Sequence, residues 1–451
     1  MDIMTLAEAA KAMGASVTGE GTVTGVCIDS RSVTPECLFF AIKGDNFDGH
    51  DFVRTALNTG ASAAVCSEPV EGVSKPVIMV GDTRVALRRL AEYNRSKYDI
   101  PVVGLTGSVG KTTTKDMVAT VLRQKYNTLA TEGNLNNEIG LPRMCLRLGS
   151  AHQAAVFEMG MSDFREISRL TRIAKPTVGL ITNIGVSHIE KLGSREGILR
   201  AKLEILEGMQ PDAPLILNGD DDMLLGAVET LRRPVLLYGI DNTAANCRAK
   251  DIVQSCGDIS FTLCFEGSEF PVVLPVVGLH NVYNAMAAFL CGIMAGVDPQ
   301  SAVEGLRGYV PDGRRQKIVH KGDFTFIEDC YNASPDSIKA SLSVLASMGD
   351  GRRIAVLGDM LELGDYARKA HRECGAEAAR QKVDILLAYG TNAIYYIEGA
   401  GEAVRSRLYD DKDAMADELF DMLEPGDTVL FKASRGMKLE DVIARLYAHI
   451  L

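Results

Sequence analysis

Short apolar runs alternate along the chain with stretches whose apolar positions return every three to four residues, a pattern that predicts buried strands separated by amphipathic helices. From Pro101 onward the runs "PVVGLTGS", "AAVFEMG", "PTVGLITNIG", "APLILNGDD" and "RPVLLYG" read as strands with helices between them. Such alternation builds a mostly parallel, doubly wound sheet. Between about 245 and 276 the stretch "RAKDIVQSCGDISFTLCFEGSEFPVVLPV" is strand-like without helices, which predicts an antiparallel extension of that sheet. The helix "HNVYNAMAAFLCGIMAGV" is expected to close the unit. A further alternating set follows, with strands "FTFIEDC", "RRIAVLGDM", "DILLAYG" and "DTVLFKAS" and helices such as "SPDSIKASLSVLASM". Ahead of Pro101, "ECLFFAIKG", "ASAAVCSEP" and "KPVIMVGD" predict strands, and "RVALRRLAEYNRSKY" a helix. A chain of 451 residues is too long for one ordinary core. The expected fold class is therefore α/β with three domains: a small N-terminal α/β domain over 1–82, a central phosphate-loop domain with a β extension over 83–310, and a C-terminal Rossmann-like domain over 311–451, with the last seam near Pro311 to Gly313.

Composition narrows the function. With 46% hydrophobic and 24% charged residues and no low-complexity tract, the chain has the profile of a folded soluble protein. Its net charge of -11 and lack of tryptophan speak against a nucleic-acid motor, which needs a basic track and stacking aromatics. The ten scattered cysteines form no Cys-x-x-Cys pair, as expected of free thiols in a reducing compartment. The start "MDIMTLAEAAKAMGA" lacks the basic and apolar blocks of a signal peptide, and no apolar run approaches the ~20 residues of a membrane span. A cytoplasmic location is expected.

The candidate chemistry begins at "LTGSVGKTTTK", residues 105 to 115. A glycine-rich turn between a strand and a helix directs backbone N–H groups at phosphate oxygens, while a lysine bridges the terminal phosphates and a Ser/Thr hydroxyl holds magnesium. Gly107, Ser108, Val109 and Gly110 form the turn, Lys111 is the phosphate lysine, Thr112 the magnesium hydroxyl, and Thr113 opens the helix "TTTKDMVATVLRQKY" with them. Leu105 stands where the strict motor and GTPase pattern has glycine.

Two further strand ends share this edge. Glu158 follows "AAVF" and His188 lies beyond "GLITNIGVS". Taken singly, such residues read as structural, a capping glutamate and a satisfied histidine; beside a triphosphate they are natural metal ligands. Lys202 is different. In "SREGILRAKLEILEG", drawn as one helix, Ile198, Leu199, Leu203, Ile205 and Leu206 form an apolar arc with Lys202 near its centre, and Arg200, Glu204 and Glu207 lie opposite. A lysine there either snorkels or is desolvated, and a desolvated amine has a lowered pKa and is nucleophilic.

The motifs "TGSVGKTTT", "EMGMSD", "TNIGVSH", "RAKLEI", "GLHNVYNAMAA", "GRRQ" and "DCYNASPDS", in this order and over essentially the whole chain, resemble the Mur ligase family. The N-terminal "IDSRSVTPECLFFAIKGDNFDGHDF" resembles the uridine-nucleotide-binding domain of those enzymes. Within the family, "TEGNLNNEIGLPRM", "YNASPDS", "LGDMLELGDYARKAH" and "VLFKASRGMKLEDVI" are most similar to members that join D-alanyl-D-alanine to a UDP-N-acetylmuramoyl tripeptide, and the D-N-P-R motif of the ligase adding the third amino acid is absent. The rival within the family is a ligase with a different amino donor.

The resemblance implies ATP-dependent amide ligation through an acyl phosphate, with two magnesium ions, in cytoplasmic peptidoglycan precursor synthesis, by a monomer without nucleic-acid or membrane partners. It implies Thr112, Glu158, His188 and Lys202 at the metals, with Lys202 carbamylated, and Lys111 on the phosphates. Asn281 and Asn284 match positions contacting adenine, and Arg314 and Asp329 positions contacting phosphate and ribose. Ser30 and Arg31 would meet the uridine diphosphate end, and Asn134, Asn136 and Asn137 the muramoyl-peptide path. In the last domain Lys432, Ser434 and Arg435 are candidates for the dipeptide or the acyl phosphate. "GRRQ" offers two arginines, Arg314 and Arg315, of which the first follows the glycine and is aligned.

Overall fold

The computed structural model describes residues 1–44, 46–255, 257–311, 316–349 and 351–450. The aligned Arg314 lies outside the described residues, as do Asp312 and Gly313 at the expected last seam.

The alternating apolar runs become a nine-stranded central sheet. Its parallel part places Val102–Thr106 between Val178–Ile181 and Ala154–Glu158, with Leu105 paired to both Leu180 and Glu158. Three carboxyl ends therefore finish side by side. Leu215–Asn218, Val235–Gly239 and Cys247–Gln254 extend the parallel part, and Ile259–Phe265 and Ser268–Leu274 continue it antiparallel. The burial of Ile259–Phe265 alternates strictly along the strand, as it must where one face packs and the other meets water. Helices Lys111–Leu122, Leu279–Met294 and Pro299–Arg307 cover one face through Val118, Val121, Val282, Met286, Phe289 and Leu306.

The other face is continuous with the N-terminal unit. Leu38, Phe40, Leu87 and Leu90 share one core with Leu141, Met144, Phe157 and Ile167, each a side chain whose burial is worth about 1.5–3 kcal/mol. Arg95 on helix Thr83–Ser96 is 6% exposed and donates to the carbonyls of Tyr98, Ala174 and Lys175, so it fastens that helix to the end of helix Glu166–Ala174. The N-terminal unit itself carries four parallel strands, Gly25–Cys27, Cys37–Phe40, Ala63–Cys66 and Val77–Met79.

The last domain is a six-stranded sheet in the order Lys317–Lys321, Phe324–Asp329, Thr428–Lys432, Arg353–Gly358, Ile385–Tyr389, Arg405–Tyr409, with only the first strand antiparallel. Among the described residues nine cysteines are free, and all of these except Cys264 are buried. No helix among the described residues is long and apolar enough to cross a membrane.

One element departs from expectation. The stretch drawn as a single helix through Leu206 ends at Leu203 and tightens into a 3-10 turn, Glu204–Gly208. Glu204, assigned to the polar side, turns inward instead: it is 8% exposed and accepts from the N–H groups of Arg165 and Ser168. Those are orphan donors at the start of helix Glu166–Ala174, and capping them outweighs leaving the carboxylate in water.

Candidate nucleotide-binding and metal site

The three aligned strand ends open into a cleft of about 910 Å³ between the central and C-terminal domains. Its phosphate loop is clasped by the segment following Val178–Ile181. Ser108 N donates to Asn183 O (3.1 Å), Val109 N to Asn183 Oδ1 (2.9 Å), and Gly185 N to Ser108 Oγ (2.9 Å). Thr182 Oγ1 and Asn183 Nδ2 both donate to Val109 O. The fit requires glycine at 107, where φ is +155° and a Cβ would lie 1.8 Å from Thr182 Oγ1. Lys111 begins helix Lys111–Leu122, and its ammonium donates to Gly107 O (2.7 Å) and Ser108 O (3.0 Å). The lysine thus rests on its own loop, over the ground a phosphate would occupy.

Behind the loop, Thr114 Oγ1 donates to Asn284 Oδ1, Asn284 Nδ2 to Asn281 Oδ1, and Asn281 Nδ2 to Val277 O. This chain ties the loop helix to helix Leu279–Met294 and brings both asparagines to the cleft.

Glu158 ends its strand 2% exposed. Its N–H donates to Thr131 Oγ1, and Lys115 Nζ fixes Thr131 O at 2.9 Å. Asn136 Nδ2 donates to Glu158 Oε1 at 2.7 Å, while Oε2 is buried with no hydrogen-bond partner. A buried carboxylate oxygen left unsatisfied is costly in a protein interior and suits a cation. His188 also lines the cleft, in a left-handed conformation with φ +63°. Lys202 lies behind the lining, 2% exposed, with no carboxylate of the described residues within ion-pair distance. Burial, and then the like charge of Lys111, hold its amine well below the ordinary lysine range. No three His, Cys, Asp or Glu side chains among the described residues form a ready-made metal cluster. Glu158 and Thr112 nonetheless fit magnesium, which is commonly held by one or two carboxylates together with substrate phosphates and water.

The C-terminal domain supplies the opposite wall. Asp329 Oδ2 accepts from Lys432 Nζ (2.6 Å) and Ser341 Oγ (2.8 Å), and Lys432, 2% exposed, also donates to Asn332 O. Asp336, at the start of helix Pro335–Ser347, approaches Gly185 so closely that a Cβ there would be 2.1 Å from its Oδ2. Of the residues singled out by sequence, Ser108, Val109, Gly110, Lys111, Thr112, Thr113, Asn136, Asn137, Glu158, His188, Asn281, Asn284, Asp329 and Lys432 line this cleft. Gly107 shapes the turn beneath it. Ser30 and Arg31 stand on a 3-10 turn of the N-terminal unit, with Arg31 exposed and held bidentately by Asp29, and Asn134 is exposed. Ser434 is buried, accepting from Leu361 N, and the Arg435 guanidinium lies 5.1 Å from the centre of the Tyr331 ring, which itself lines the cleft.

Sequence reading passed over several cleft residues. Thr182 and Asn183 clasp the loop; His280, Asn332 and Asp336 line the walls. Burial pushes the His280 imidazole down to about 4, against the pull of Asp329. All five lie inside stretches already quoted, "TNIGVSH", "GLHNVYNAMAA" and "DCYNASPDS", so position at a strand or helix end was the available signal.

Comparison with known proteins assigns each part of the chain to one family. Residues 22–95 match the Mur ligase family catalytic domain, 105–292 the Mur ligase middle domain, and 313–435 the Mur ligase glutamate ligase domain. The UDP-N-acetylmuramoyl-tripeptide--D-alanyl-D-alanine ligase of Bacillus subtilis (strain 168) is 40% identical over 452 residues, covering 98% of both chains. A crystal structure of MurF from Acinetobacter baumannii superposes with a TM-score of 0.93 at 31% identity, covering 99% of this chain and 100% of that one. The MurF ligase of Thermotoga maritima, solved in complex with ADP, superposes with a TM-score of 0.85 at 29% identity, covering 95% and 98%. With its phosphate loop, its three strand ends and its full-length relatives in agreement, the chain belongs to the Mur ligase family.

Proposed function

We propose that the chain is an ATP-dependent, ADP-forming ligase that joins D-alanyl-D-alanine to a UDP-N-acetylmuramoyl tripeptide in peptidoglycan precursor synthesis. The observation that carries this reading is a single cleft that joins the phosphate loop, Glu158 and the Asn136–Asn137 path to Asp329 and Lys432 of the last domain. The named relatives of full length support the substrates.

In this reading residues 1–82 bind the UDP-muramoyl end, with Ser30 and Arg31 at the diphosphate. Residues 83–310 bind ATP, and residues 311–451 bind the incoming dipeptide. Asn281 and Asn284 hold the adenine and Asp329 the ribose, with Arg314 at the phosphates. The loop N–H groups of residues 110–113 cradle the phosphates, those of Ser108 and Val109 being held by Asn183, and Lys111 leaves its carbonyl rests to follow the γ-phosphate. The tripeptide carboxylate attacks that phosphorus, ADP leaves, and an acyl phosphate forms. The dipeptide amine then adds to the acyl carbon, loses its proton, and the tetrahedral intermediate expels phosphate. Positive charge fixed in advance where the phosphoryl oxygens gather is the main source of acceleration in such a site. Lys111 and Lys432 provide it, and Asn134, Asn136 and Asn137 keep the acceptor carboxylate in line. Lys432, Ser434 and Arg435 form the dipeptide side.

Thr112, Glu158 and His188, together with Lys202, would hold magnesium, which when bound neutralises phosphate charge. Lys202 enters as a carbamate: its neutral amine adds carbon dioxide and releases one proton, leaving a buried anion. The enzyme works as a cytoplasmic monomer.

Phosphate release with ATP and magnesium, measured with lysine- and diaminopimelate-containing UDP-muramoyl tripeptides, tests the assignment. Release should require D-alanyl-D-alanine and give a UDP-muramoyl pentapeptide. Equal release without the dipeptide, or turnover with another amino donor alone, would overturn it.

A further inference from the structure

His188 meets the C-terminal domain at Glu362. The two residues share an unusual backbone: each has φ +63°, in the left-handed region that a non-glycine side chain disfavours. Such conformations persist where the surroundings over-determine them, and they collect at functional sites.

Both sides of this contact are braced. Glu362 ends a turn that follows strand Arg353–Gly358. The turn is held by His371, which is 0% exposed: its Nε2 accepts from Met360 N (3.1 Å) and its Nδ1 donates to Ala367 O (2.7 Å). Leu361 N donates to Ser434 Oγ (2.9 Å) and Ser434 N to Asp359 O (3.2 Å). On the central domain, Val186 and Ile189 pack against the core of the C-terminal domain, and Glu190 lies against Gly364. Between these braces Glu362 Oε2 lies 2.6 Å from His188 Nδ1, while His188 also lines the nucleotide cleft. The two groups are at ion-pair distance, and Nδ1 has no other hydrogen-bond partner.

We propose that Glu362 is a positioning residue for His188: docking of the C-terminal domain brings its carboxylate to Nδ1, fixes the Nδ1–H tautomer and the ring orientation, and leaves Nε2 as the ligand nitrogen for the divalent cation. A carboxylate behind a metal-binding imidazole orients the ring and raises its basicity, and here the carboxylate comes from the other domain. Domain docking and completion of the metal site become one event. The inference rests on His188 being a metal ligand.

The test uses the full chain with a non-hydrolysable ATP analogue. Free Mn²⁺ is followed by electron paramagnetic resonance in wild type, Glu362→Gln, Glu362→Asp and His188→Ala. Long-range ¹⁵N–¹H spectra of the imidazoles, assigned by difference from His188→Ala, report the tautomer without metal. Glu362→Gln should weaken Mn²⁺ binding about 10-fold, the lower end of what loss of such a partner brings. Glu362→Asp should recover part of it, and the Nδ1–H tautomer should dominate in wild type and mix in Glu362→Gln. Wild-type Mn²⁺ affinity in Glu362→Gln together with a loss in His188→Ala overturns the role of Glu362 alone. Unchanged affinity in His188→Ala removes the ligand reading and the proposal with it. If Glu362→Gln does not fold, the wild-type spectrum decides, and an Nε2–H tautomer overturns the proposal.

Discussion

Replacing Lys202 by methionine separates what this residue does for the fold from what it does for chemistry. The side chain is 2% exposed, lacks a carboxylate partner among the described residues, and feels the charge of Lys111. Methionine has nearly the same length and volume without the charge. Exchanging even a buried ion pair for apolar groups of similar volume is commonly neutral or stabilising by about 1–4 kcal/mol, and an unpaired amine has no ion-pair attraction to lose. A gain of about 2 kcal/mol would raise the melting temperature of a unit of this size by about 4–8 °C. The sign with pH is fixed by linkage. The folded-state pKa lies below the unfolded one, so protons favour the unfolded chain, and wild-type stability rises with pH from the folded pKa up to about 10.4. Lys202→Met removes that contribution, so its advantage should be largest in acid and fade toward alkaline pH. Calorimetry between about pH 6 and 10 in carbon-dioxide-free buffer reads the effect, and a coupled ADP assay reads turnover, which should fall at least about 100-fold on loss of a charge-stabilising group. A variant less stable than wild type at every pH, or one with near-normal turnover, would refute the reasoning.

Gly107→Ala should lose nucleotide binding by equilibrium dialysis and lower stability by about 1–3 kcal/mol, because its Cβ would sit 1.8 Å from Thr182 Oγ1; a variant binding ATP normally would contradict the clasp. Lys202→Ala should keep ATP binding, lose turnover, and regain part of it when a short carboxylic acid is added; rescue by an alkylamine instead would rule out the carbamate. Burial lowers the His371 imidazole below its usual value, so acid favours the unfolded chain; stability should fall as pH drops below about 6.5, with a limiting slope near 1.4 kcal/mol per pH unit from this group. Denaturant titrations at several pH values should show a smaller slope in His371→Gln; an unchanged slope would place the titration elsewhere.

What the sequence disclosed follows how local each signal is. The loop at 107–113 is contiguous, and the strands around it are apolar on both faces, so both are readable from short windows. Lys202 stood out because its apolar neighbours recur at helical spacing, even though the helix ends at Leu203. The strands Lys317–Lys321 and Arg405–Tyr409 were not anticipated. As edge strands, largely wetted, they carry charged residues where a buried strand would be apolar. Asn183 and Glu362 were equally invisible as participants. The first reaches the loop across 74 residues, and the second reaches His188 from another domain; no periodicity encodes such meetings.

The free cysteines have a practical consequence. Eight buried thiols are distributed with Cys66 in the N-terminal unit, Cys145 and Cys291 around the central sheet, and Cys330 and Cys374 in the last domain. Burial pushes Cys66 up to about 11 and Cys145, Cys330 and Cys374 up to about 12, so closed domains withhold the reactive thiolate twice over, by access and by charge. Pulse alkylation followed by peptide mass spectrometry therefore turns the chain into its own set of clocks. Cys264, only part-buried, marks the fast limit. The labelling rates at Cys66, Cys291 and Cys374 time the opening of each domain separately, and the change in each rate when nucleotide is added reports how far its stabilisation spreads.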